Sequence, residues 1–188
     1  DIRHSRRIFT AWTWDELNAI GIYTVEPGTQ GDDRFEITSQ PKYTFSSSNK
    51  KVTTAYTTTD RALDDAEAKD GDGKNILDLD GNKVIYYGLK TLAKNQAKER
   101  AHTLIKRFGW LVQRVTMDSS KTIPSAVTTY CAAIRTDCAA ICTAIDDASN
   151  MTAFKALYAD ELNSDGSVKT VNRINRWTSD STVKEYIR

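Results

Sequence analysis

The spacing of hydrophobic positions along this chain changes from that of strands to that of helices. Between Phe35 and Tyr56 apolar and polar residues alternate: Phe35 and Ile37, Tyr43 and Phe45, then Val52, Ala55 and Tyr56 in a threonine-rich run. A period of two predicts strands. Gln40-Pro41 and Ser46 to Lys50 divide them into a three-stranded antiparallel meander that buries one face. From about Tyr86 the period becomes helical. Leu89, Leu92, Ala93, Gln96, Ala97, Arg100, Ala101, Leu104, Ile105 and Phe108 recur at steps of three and four. Lys90, Lys94, Lys98, Glu99 and Lys106 fall on the opposite face. Gly109 reads as the residue that stops this helix, which puts Trp110 in a connector. Pro124 at the first helical position opens a second helix. Its stripe is Val127, Tyr130, Cys131, Ile134, Cys138, Ile141, Cys142 and Ile145. A third, shorter helix follows the cap Asn150 and uses Met151, Phe154, Leu157 and Tyr158.

Local punctuation adds the remaining elements. Thr13-Trp14-Asp15-Glu16 is a capping box that opens a short helix, and Gly21 closes it. Ile22, Tyr23 and Val25 read as a strand stopped by Pro27-Gly28. Asp60 is placed to cap a brief helix through Leu63 and Ala66. Asp70-Gly71-Asp72-Gly73 reads as a flexible break and a domain boundary. Asp80-Gly81 lies between Ile76–Leu79 and Asn82–Ile85 and signals a hairpin with a type I′ turn. Ser164-Asp165-Gly166 is a turn, and Val171 to Ile187 is a weakly patterned tail with a terminal helix. The expected fold is α+β, in two parts. Residues 1–70 form an N-terminal arm and a small antiparallel β meander with a short helix. Residues 71–188 form a β-hairpin, an antiparallel helical hairpin with a third short helix, and a tail.

Composition narrows the function. A chain of 188 residues can bury roughly 70% of its unfolded surface. Only 39% of residues are hydrophobic and the mean hydropathy is −0.52, which points to an elongated or small-cored protein. The 26 basic and 25 acidic residues leave a net charge of +1, without the electrostatic footprint of a nucleic-acid binder. Arg3, Arg6 and Arg7, with His4 between them, read as a solvated arm or as one that docks on an acidic neighbour. No run approaches the ~18 apolar residues of a bilayer span, and no secretory signal pattern is visible. The expected partners therefore include neither nucleic acid nor membrane. The chain opens on Asp1 rather than Met, which leaves its true start undetermined.

Catalytic signatures are weak. Cys131, Cys138 and Cys142 lie on one helix at steps of seven and four, a geometry poor for a disulfide and short of a ligand for zinc unless His102 joined them. They read as core residues, and a reducing cytoplasm during synthesis fits them. The acidic run Asp70 to Asp80 fits no calcium-loop register: counting from Asp70 puts Asn75 at the sixth position and Gly81 at the twelfth. The two histidines, His4 and His102, lack partners for nucleophilic chemistry, and no phosphate loop, nucleophile elbow or dinucleotide fingerprint appears. The expectation is a non-enzyme with no catalytic residue, cofactor or metal. The aromatics Trp12, Trp14, Tyr23, Trp110 and Trp177 sit at element edges, either as core plugs of a thin domain or as anchors at protein contacts.

Two stretches resemble proteins of tailed-bacteriophage tails. Trp14-Asp-Glu-Leu-Asn-Ala-Ile-Gly-Ile-Tyr-Thr-Val-Glu26 is similar to the opening module of phage tail-fibre and fibre-accessory proteins. Residues 89–177 resemble the C-terminal region of the tail-fibre assembly (tail assembly chaperone-like) family. The matching positions are Arg100, Leu104, Ile105, Trp110, Ile123-Pro124, Val127, Tyr130, Ile134, Arg135 and Trp177. Gly109, Cys131 and Thr178 stand where that family has Asp, Arg and Pro. The resemblance implies a non-enzymatic structural component of a phage tail (fibre, baseplate or adaptor-associated). It would be made in the bacterial host cytoplasm and carried in the virion. Its partners would be other tail proteins, with the chain present as a homo-oligomer or in several copies of a symmetric assembly. The alternative is an assembly chaperone not retained in the virion. Trp14, Tyr23, Trp110, Tyr130, Arg135 and Trp177 are the expected interaction anchors.

Overall fold

The computed structural model describes residues 5–187 and is mixed α+β, with several small sheets and six α-helices among the described residues. The chain forms two compact units that meet in sequence between Arg61 and Ala62 rather than at residue 70. Arg3 and His4 of the basic arm lie outside the described residues, whereas Arg6 and Arg7 are exposed and lead into the first helix.

The first unit begins with α1 (Ile8–Ala11) and α2 (Trp14–Ala19). The capping box forms: the Thr13 amide donates to Glu16 Oε2 at 2.8 Å, and the Glu16 amide donates to Thr13 Oγ1 at 3.4 Å. The helix closes in a Schellman arrangement, with the Ile22 N–H on the Leu17 carbonyl and the Gly21 N–H on that of Asn18.

The strands are β1 (Thr24–Glu26), β2 (Glu36–Thr38), β3 (Lys42–Ser46), β4 (Lys51–Ala55) and β5 (Thr58–Asp60). They do not form a simple meander. β3 and β4 pair as an antiparallel hairpin, β1 joins the other edge of β4 in parallel, and β2 pairs separately with β5. Alternation marks strands and faces, but it does not name the partner strand. Nor is one face buried: Ile37, Tyr43 and Phe45 are exposed, and the buried apolar residues of this unit are Ile8, Leu17 and Phe35. The helix expected after Asp60 is absent, because Asp60 ends β5 and the Arg61 N–H extends that pairing to the Phe35 carbonyl at 2.8 Å.

The second unit opens with a three-way β junction. β6 (Ala66–Glu67) pairs with β7 (Ile85–Tyr86) to make one arm. Bridges Lys69–Asn75 and Leu77–Lys83 close two hairpin arms between them. At the hub, three backbone hydrogen bonds run in a ring: Ala68 N–H to Val84 O, Val84 N–H to Ile76 O, and Ile76 N–H to Ala68 O, at 2.8, 2.9 and 2.8 Å. The hub residues are eight positions apart in sequence.

Both hairpin loops have the same design. Asp70 Oδ1 accepts from the amides of Asp72 and Lys74, and Asp78 Oδ1 accepts from those of Asp80 and Asn82. Gly73 and Gly81 both sit at φ +81, the left-handed position that completes a type I turn with a bulge. Asn163 to Ser167 repeats the loop between β8 (Glu161–Leu162) and β9 (Val168–Thr170), with Gly166 at φ +82. The Asp70–Gly73 run is thus an ordered turn and not a flexible break. The Asp80-Gly81 hairpin forms, but only its glycine has positive φ, so its turn is not type I′.

α3 (Leu89–Lys106) starts where this junction ends, three residues later than the period suggested, because Tyr86 is held in β7. Its first turn is satisfied by the preceding chain: Leu89 and Lys90 donate to the carbonyls of Ala62 and Leu63, and Asp65 accepts from the Gly88 amide at 2.7 Å and from Thr91 Oγ1 at 3.0 Å. Gly88 is buried in this contact, and a Cβ there would collide with the Leu63 and Asp64 backbone.

Gly109 does not end the helical region. After a break at Arg107 and Phe108 it begins a further helix, α4 (Gly109–Met117), so Trp110 is helical and not in a loop. α5 (Ser125–Asp147) has Pro124 as its N-cap, one position outside the helix. α6 (Met151–Ala156) is capped by Asn150, whose Oδ1 accepts from the Ala153 amide at 2.9 Å.

α3 and α5 pack through complementary stripes. Ala93, Ala97 and Ala101 present a small-residue face, and Ile134, Ile141 and Ile145 of α5 are fully buried. Phe108, Leu111, Val127 and Tyr130 continue the core, with Phe108 and Tyr130 edge to face at 5.7 Å. The tail is not a loose extension or an α-helix. It forms short 3-10 turns at Arg173–Asn175 and Lys184–Tyr186, and Val183 between Asp180 and Lys184 is fully buried in the same core.

Candidate functional site

Residues on α3, α4 and α5 enclose an apolar groove of about 310 Å³ in the second unit. Val127, Cys131 and Arg135 are four positions apart on α5, so one stripe of that helix supplies a wall. Phe108 and Val127 are buried and form the floor. Ile105 and Cys131 are half-buried on the sides, and Val112 and Ile123 project at the mouth with 56% and 38% of their surface exposed. Lys106 and Arg135 are the charged residues of this lining, and both are exposed. Neither makes an ion pair among the described residues. An apolar trough with a cationic rim suits an apolar side chain that carries a carboxylate beside it. The volume is at the lower end of ligand pockets, about right for one inserted side chain.

The Cys131 thiol sits within this electrostatic setting. Burial pushes its pKa above the ordinary thiol value, and the Arg135 guanidinium opposes part of that rise. Burial likewise raises the Cys138 thiol, with the neighbouring Cys142 adding to the rise. All three cysteines are free and half-buried, at the flank of the α5 core stripe rather than inside it. Among the described residues, no group of three or more His, Cys, Asp or Glu side chains is arranged to hold a metal ion, and no helix is long and apolar enough to cross a membrane.

The expected anchors separate into different roles. Arg135 alone of the six lies on the groove. Tyr130 is buried and belongs to the core, where burial raises its phenol pKa. Trp110 is half-buried, and its Nε1–H donates to the Tyr186 carbonyl at 3.0 Å, so it clamps the C-terminal tail. Trp177 is also half-buried. Its Nε1–H donates to the Ile174 carbonyl, and it lines a separate cleft with Gln96, Ala97 and Arg100. Next to it, the Thr178 amide and hydroxyl both donate to Asp137 Oδ2 at 2.7 Å, a double contact that a proline at 178 could not make. In the first unit, Tyr23 is half-buried against Phe45 with ring centroids 4.5 Å apart, and Trp14 is 54% exposed.

Lys106, Val112, Ile123 and Cys131 were not anticipated as site residues. The step of four from Val127 through Cys131 to Arg135 is the one sequence signal that could have joined the groove's α5 wall to its charge. His102 is exposed beside Glu99 and Lys106 in a shallow surface recess. No family model, no curated protein and no solved structure matches this chain.

Proposed function

We propose that this chain is a non-enzymatic docking subunit of a bacteriophage tail, carried in the virion in several copies and joined to neighbouring tail proteins through the groove on its helical unit. The groove itself carries this reading: apolar walls open to solvent at Val112 and Ile123, with Lys106 and Arg135 left for an external carboxylate. Its occupant would be an apolar side chain with an adjacent Asp, Glu or chain-terminal carboxylate on a neighbouring subunit. Covering about 100 Å² of apolar surface there would contribute roughly 2–3 kcal/mol, and the two cations would set orientation and partner choice more than affinity. The virion assignment comes from the tail-protein resemblance of residues 14–26 and 89–177.

Quantitative mass spectrometry and crosslinking of purified particles test the assignment. The expected result is a copy number set by tail symmetry, with crosslinks from Lys106 to an acidic segment of a neighbour. Capture of a fibre subunit by this chain in lysate, with none of the chain in particles, would favour the assembly-chaperone reading instead. Absence from both overturns the proposal. The reversal Arg135→Glu leaves the fold intact, since that side chain is exposed, keeps the Lys106 amine available to react, and should abolish the crosslinks.

A further inference from the structure

We infer that the first unit binds an acidic saccharide, a hexuronic acid ring, in a cavity under Trp14. The cavity measures about 420 Å³ and is lined by Trp14, Asn18, Thr24, Glu26, Asn49, Lys50 and Lys51. Trp14 and Asn18 are one turn apart on α2. Thr24 and Glu26 are alternate residues of β1 and so share a face. The turn between β3 and β4 brings in Asn49 and Lys50, with Lys50 held in the left-handed region at φ +52, and Lys51 opens β4.

Two features point to a ligand rather than to packing. Trp14 leaves 54% of its surface in solvent, while the buried side chains of this unit are Ile8, Leu17 and Phe35. The polar groups of the lining mix donors and acceptors: the Thr24 hydroxyl, the Asn49 amide, two ammonium groups and the Glu26 carboxylate.

That mixture discriminates among ligands. A phosphate offers no apolar face to the exposed Trp14 indole. A purely apolar ligand would leave the polar lining without partners. A sugar ring has an apolar C–H face for the indole and hydroxyls that donate and accept together. The charge balance selects an acid. Lys51 Nζ is paired with Glu26 Oε1 at 2.5 Å, which leaves Lys50 as the lining cation not offset within the cavity.

Saturation-transfer NMR on the full chain tests this with glucuronate, galacturonate, glucose and galactose as probes. Transfer to the two uronates, weaker transfer to the neutral sugars, and a loss of about tenfold or more in uronate affinity in Trp14→Ala support the site. Lys50→Asn keeps a residue that tolerates the left-handed turn and should abolish the preference for the acid. Equal transfer to acidic and neutral sugars overturns acid recognition. No transfer from any probe, or uronate binding unchanged in Trp14→Ala with unaltered circular dichroism, overturns the site. The groove lies in the other unit, so its reading and this one fail separately.

Discussion

Replacing Trp110 measures how firmly the C-terminal tail is built into the helical core. The indole is half-buried against the cluster that holds Phe108, Tyr130 and Val183, and its N–H donates to the Tyr186 carbonyl at 3.0 Å. A buried Trp covers 150–250 Å², so a half-buried one covers about 100 Å², worth ~2.5 kcal/mol at ~25 cal/mol per Å². The hydrogen bond adds ~1 kcal/mol. Trp110→Ala should therefore destabilise the second unit by ~3.5 kcal/mol. Trp110→Phe keeps most of the ring, loses the donor, and should cost ~1.5 kcal/mol. Urea unfolding followed by circular dichroism at the helical band reports this unit, which holds α3 to α6. Truncation before Asp180 supplies the cycle partner. If Trp110 clamps the tail, its substitution costs at least ~1 kcal/mol less in the truncated chain, because the shared contact is already gone. A loss below ~0.5 kcal/mol for Trp110→Ala in the full chain refutes the clamp and returns Trp110 to the role of a partner anchor, and an equal, larger loss in both backgrounds refutes the clamp and makes Trp110 a core residue independent of the tail.

Three further outcomes follow from the geometry. Gly88→Ala forces a Cβ into the Leu63–Asp64 backbone and should cost about 2–3 kcal/mol in the same unfolding assay, and Asp65→Ala, which removes the acceptor of the Gly88 amide and the Thr91 hydroxyl, ~1–2 kcal/mol. The Glu16 carboxyl is held below its ordinary 4.5 first by the Thr13 amide and then by the Thr13 hydroxyl, so its support of α2 is present above pH 4.5 and lost as pH falls through the lowered value. An NMR titration should show that depression, and Thr13→Val, which keeps the amide but removes the hydroxyl, should partly restore the ordinary value. Cys131 should alkylate more slowly at about pH 8 than an unfolded thiol, in a chain with Cys138→Ser and Cys142→Ser. Arg135→Ala should slow it further, because removing the cation lets the thiol pKa rise; a faster reaction would contradict that placement.

The parts of the fold legible in sequence were those fixed by neighbours in the chain. The Thr13–Glu16 box, the Gly21 stop and the Asn150 cap each close hydrogen bonds within a few residues. The stripes of α3 and α5 were legible because long amphipathic helices repeat their signal. Illegible features depend on distant chain. Val183 stands in a polar tail and is buried only because α3, α4 and α5 leave room for it. Gly109 has no αL conformation and starts a helix, so a glycine's identity alone gave the wrong boundary. β1 pairs directly and in parallel with β4 although β2 and β3 lie between them in sequence, which no local pattern encodes. At the groove, charge was recognised at Arg135, but the aromatics expected beside it turn inward, since Tyr130 fills the core and Trp110 holds the tail.

The β junction also has a consequence for how this protein can vary. Its hub closes through Ala68, Ile76 and Val84, while the two hairpin arms stand outside that ring and end in turns built by their own residues. Arm length and hub geometry are therefore separable. Adding two residues to each strand of an arm preserves the facing of every side chain, whereas one residue added to each strand reverses the tip. Variants and relatives of this chain are expected to differ there in steps of four, and the tips between Asp70 and Lys74 and between Asp78 and Asn82 are natural sites for grafting a tag or epitope without disturbing α3.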